Sequence, residues 1–136
     1  MRSTQELEHE IRRSEAPSVL AGDDYSIPEP SAYLSDLLRE RGLSVRDVVV
    51  GCNLERSYAY QLLNGTRRPT RNFLLRLVLL LRLDEAQAQR LLKLQGRQPL
   101  YARNRRDAAV LYGLAHGLTA EETGRLLDSL GEEGLE

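Results

Sequence analysis

The chain has 136 residues, room for one compact domain and little more, and 41% of them are apolar, enough for a core of ordinary size. A single cysteine, Cys52, excludes an internal disulfide and a cysteine-built zinc site, and the longest apolar run, Leu77 to Leu81, is too short to span a bilayer. The net charge of −1 argues against a general nucleic-acid coat, but it averages acidic ends around a basic centre.

Residues 1–14 carry Ser3 and Glu6 at capping-box spacing but only Leu7 and Ile11 as an apolar stripe, which predicts at most a short helix. From Glu15 to Pro30 the chain is rich in Pro, Gly, Ser and acids and reads as a linker, so residues 1–30 are expected to be a flexible acidic arm. Tyr33, Leu34, Leu37 and Leu38 then recur at helical spacing up to Gly42. Ser44, with Asp47 three residues on, opens a second helix with Val45, Val48, Val49 and Cys52 on its apolar face. Asn53 sits where the chain must turn, and Asn tolerates the left-handed conformation. A third helix is predicted from Arg56 to Leu63, with Ala59, Leu62 and Leu63 inward and Asn64-Gly65 as its stop. Thr70 caps a fourth, core-grade helix, and Asp84 with Gln87 starts a fifth that ends at Gly96. Residues 103–116 predict a further helix with Ala108, Ala109, Leu111, Tyr112 and Ala115 inward, and Thr119 with Glu122 opens the last. No stretch alternates long enough to be a strand, so the expected class is all-α.

Charge is distributed along these elements unevenly. Residues 53–76 carry five Arg against Glu55 alone, and residues 97–116 carry four Arg against Asp107; residues 1–30 and the last twenty are strongly acidic. A basic centre between acidic ends is the footprint of a local anionic partner, and such a tail could also fold over the basic face as a competitor. His9 and His116 are too few and too scattered for a metal site, and no phosphate loop, nucleophile set or isolated carboxylate pair stands out. No enzyme, cofactor or metal is expected. A lone thiol and the absence of a signal-like apolar segment predict a cytoplasmic setting.

The run Leu43-Ser44-Val45-Arg46-Asp47-Val48-Val49-Val50-Gly51-Cys52-Asn53-Leu54-Glu55-Arg56-Ser57, with Leu62-Leu63-Asn64-Gly65 and the basic loop Thr66-Arg67-Arg68-Pro69 after it, resembles the Cro/repressor-type (XRE-like) helix-turn-helix family over residues 31–83. The resemblance implies a repressor-like domain, taken as five helices over residues 31–96; the helical hairpin expected at 97–136 lies beyond the resemblance and, being more than the DNA motif requires, is expected to be a dimerisation or effector segment. It implies double-stranded DNA as partner, a homodimer and repressor-like regulation of transcription. By position, Arg56 and Ser57 would contact bases or phosphates and Tyr58, Tyr60 and Gln61 would share the side that faces DNA, Arg being suited to guanine and Gln to adenine, while Arg67, Arg68 and Arg71 would approach the phosphates. Glu55 departs from the family, which has Ser at the start of this helix; a carboxylate there would repel an incoming phosphate. That departure, the near-zero net charge and the acidic ends keep a second reading open: a protein-interaction module, or an antitoxin, that keeps the fold with little or no DNA binding.

Overall fold

The computed structural model describes residues 29–136 and Gln5; the short helix expected before residue 15 and nearly all of the linker after it lie outside the described residues. Seven helices follow among the described residues: α1 (Pro30–Glu40), α2 (Val45–Gly51), α3 (Arg56–Leu63), α4 (Arg71–Leu80), α5 (Glu85–Leu94), α6 (Arg105–His116) and α7 (Ala120–Ser129). No strand occurs among these residues, and the fold is all-α.

The helix starts are written in local chemistry. Ser44, Asp84 and Thr119 each form a complete capping box, with Asp47, Gln87 and Glu122 reaching back to the cap amide. Those bonds hold the Asp47 and Glu122 carboxyls below the usual carboxylate range, the bond from the Ser44 or Thr119 amide being the largest cause. Thr70 and Asn104 cap α4 and α6 through the amides of Phe73 and Asp107. α1 starts differently: Pro30 occupies its first turn, and the Glu29 carboxylate accepts from the Ala32 amide at 2.9 Å. Asn53 turns the chain between α2 and α3 at φ +54°, as its short polar side chain allows, and Arg82 takes φ +52° before α5.

α4 organises the rest. Phe73 to Leu79 are buried without a break, so this helix has no solvent face, and α2, α5, α6 and α7 all pack on it. α1 and α2 close over α3 through Leu34, Leu37, Leu38, Val48, Ala59 and Leu62. A continuous apolar cluster runs from Leu34 through α4 to Leu127 and Leu135, joining the first five helices to the α6–α7 hairpin.

The inward face of α6 differs from the expected one. Ala109, Val110 and Gly113 are buried, while Tyr112 is 52% exposed and stacks on His116 at 4.1 Å, and Ala115 is exposed. Gly113 explains the rotation: a Cβ there would stand 2.6 Å from Thr123 Oγ1 and 3.2 Å from Leu79 Cδ2, so the helix presents its bare backbone where α7 and α4 come closest.

Candidate nucleic-acid interface

α3 is held by its apolar side. Ala59 and Leu62 are fully buried and Leu63 nearly so, which turns Arg56, Ser57 and Tyr60 to solvent and leaves Tyr58 and Gln61 half-buried at the margin. Among the described residues, the polar edge of α3 therefore packs against no other helix. The two tyrosines support neighbouring cations: Arg56 lies 5.8 Å from the Tyr60 ring centre, and Arg67 lies 5.3 Å from that of Tyr58. Arg67 Nε also donates to Gln61 Oε1 at 3.1 Å, and its amide donates to the Gln61 carbonyl. Gln61 thus has its side-chain acceptor in use, while its amide donor makes no hydrogen bond among the described residues. A bidentate contact to adenine needs both.

Glu55 stands at the cap position of α3 but makes no cap bond; its carboxylate accepts from Ser57 Oγ at 2.6 Å. The hydroxyl is therefore turned toward a carboxylate rather than outward. Arg46, on the exposed side of α2, makes no hydrogen bond or ion pair among the described residues, and sequence reasoning passed over it. The signal was available: Ser44 fixes the start of α2 and Val48 its buried face, which leaves Arg46 outside.

The basic loop is pinned to the connector between α5 and α6. Arg68 Nη2 donates to the carbonyl of Gly96 at 3.0 Å, and Arg97 returns two bonds to the carbonyl of Pro69 at 3.0 and 2.7 Å. Arg67 and Arg68 are exposed. Arg71 is not on this rim, contrary to the expectation from position. Its guanidinium forks onto the buried Asp107 carboxylate at 3.1 and 3.0 Å and donates to the carbonyls of Gln98 and Pro99. Asp107 also accepts from the Tyr101 amide, so Arg71 closes a polar joint between α4 and α6 instead of facing solvent.

The acidic tail does not cover the α3 edge either. Arg105 pairs with Glu132, Arg106 donates to the carbonyls of Glu133 and Gly134, Asn72 donates to that of Glu136, and Leu135 is buried. These contacts strap the tail to α4 and α6, at the second basic cluster, Arg105 and Arg106. Cys52 is a core residue, 1% exposed, and burial pushes its thiol up to about 11. No group of three metal-ligating side chains occurs among the described residues, and no described helix is long and apolar enough to cross a membrane.

Residues 31–91 match a family model described as a helix-turn-helix domain. The match covers a little under half of the chain and takes in α2, the Asn53 turn and α3. Neither the curated proteins nor the solved structures include a match to the chain.

Proposed function

We propose that the chain is a cytoplasmic, sequence-specific DNA-binding regulator of the repressor type that acts as a homodimer, with no catalytic role. The observation that carries this reading is the outward edge of α3, Arg56 and Tyr60, beside the exposed Arg67 and Arg68, within a segment that matches a helix-turn-helix domain. A major groove accepts one helix presented in this way, with its N-terminal residues at the base edges. Arg56 serves as the base reader. Arg67 and Arg68 serve the phosphates, and Tyr58 and Gln61 position Arg67. Arg71 drops out of the interface. One helix covers only a few base pairs, so two copies reading two half-sites supply the specificity a regulator needs.

Selection of duplexes from a random library, followed by affinity measurements, tests this reading. The expected outcome is an enriched sequence with two related half-sites about one helical turn apart, and a loss of about tenfold or more with Arg56→Ala. Enrichment of nothing, or an affinity indifferent to Arg56, favours the interaction-module reading, for which Val50, Tyr101 and Tyr112 offer exposed apolar surface away from the α3 edge.

A further inference from the structure

The turn between α2 and α3 faces the C-terminal hairpin across a cleft of about 680 Å³, within the size range of small-molecule sites. Val50 lines it from the end of α2, Asn53 from the turn, Ala120, Gly124 and Asp128 from α7, and Arg76 from α4. Arg76 is the unusual member. It is 7% exposed, and its Nη1 donates to the carbonyl of Cys52, while its buried Nε has no hydrogen-bond partner among the described residues. Its ion-pair partner among those residues, Glu136, stands at 3.9 Å, beyond hydrogen-bond reach, on a side chain that is 77% exposed. Arg76 thus lines the cleft with its guanidinium only partly partnered, and a buried cation left in that state is costly until a carboxylate or similar anion compensates it.

The remaining charges narrow the ligand. Glu121 is paired with Arg125 and Glu132 with Arg105, whereas Asp128 makes no ion pair among the described residues. With four carboxylates in the wall against Arg76 and Arg125, a polyphosphate is repelled; a molecule that brings one carboxylate and one ammonium is matched at both ends. Val50, 72% exposed, and Ala120 supply apolar surface in the same lining. We propose that this cleft binds a small zwitterion of the amino-acid or dipeptide class, its carboxylate on Arg76, its ammonium on Asp128 and its aliphatic body against Val50. The site is separate from the α3 edge and does not rest on DNA binding. Ligand and turn share one guanidinium, because Arg76 also holds the Cys52 carbonyl.

The test titrates L-leucyl-L-leucine into the full chain and follows the Arg76 Nε–H signal and the amides of Gly51, Asn53 and Gly124 by NMR. Saturable shifts confined to these groups are expected, with L-leucyl-L-leucinamide, which lacks the carboxylate, binding at least about tenfold more weakly. The N-acetyl dipeptide should bind about threefold more weakly, and Glu136→Gln, which removes the competing carboxylate, should tighten the dipeptide about threefold. The amide comparison needs no substitution at buried Arg76, so misfolding cannot mimic the result. Equal binding of dipeptide and amide, or no saturable shift up to about 10 mM, overturns the proposal.

Discussion

Arg67 and Arg71 are four residues apart in one basic run, and their surroundings separate them: Arg67 is exposed against Tyr58 and Gln61, whereas Arg71 is forked onto Asp107. Arg71→Ala leaves a buried carboxylate without its partner and should cost about 3 kcal/mol in urea unfolding. Arg67→Ala should stay within about 0.5 kcal/mol of the parent in stability while lowering the salt slope of duplex binding by about one. The reverse pattern would put the rim in the wrong place. Cys52 gives a pH signature. Its thiol is raised from 9.0 to about 11 by burial, so between these values the unfolded chain has lost the proton that the folded chain keeps. Stability therefore falls as pH rises through that window, by on the order of 2–3 kcal/mol. Urea curves at pH 8.5 and 11 should show this loss in the parent beyond that in Cys52→Ala; equal losses would mean the thiol is not held in the core.

Among the elements, α6 and α7 are joined at a point where only glycine fits. Gly113→Ala would drive a methyl group to 2.6 Å from Thr123 Oγ1, and a loss of about 1–3 kcal/mol is expected in thermal unfolding. An unchanged melting temperature would show that the crossing is looser than described. Gly51→Ala should be milder, because the atoms it meets are the ends of the flexible Leu80 side chain. Helix existence and helix starts were legible in the sequence, since a cap and its partner lie within three residues: Ser44 with Asp47, Asp84 with Gln87 and Thr119 with Glu122 all formed as read. The Asn53 turn was legible for the same local reason. The roles of Arg71, Arg76 and Arg97 were not, because their partners lie 24 to 36 residues away and no short-range pattern encodes them. The face of α6 was misread because Tyr112 and Ala115 look core-grade by type, while the decisive residue, Gly113, carries no hydrophobic signal.

At the scale of the whole molecule, the hairpin is packed on the same central helix as the helix pair, and three arginines, Arg68, Arg71 and Arg97, tie the basic loop to the connector that leads into it. The acidic tail is occupied with Arg105 and Arg106, and among the described residues nothing covers the α3 edge. The regulatory account depends on that open edge. Its most direct test is an NMR map of the isotope-labelled chain bound to a selected duplex, reading which protons show contacts to DNA. The account predicts contacts from Arg56 and Tyr60 to base protons and from Arg67 and Arg68 to the sugar–phosphate backbone, with none from Arg71. A complex in which the contacts fall on α6 and α7 while Arg56 remains free in solvent would contradict it.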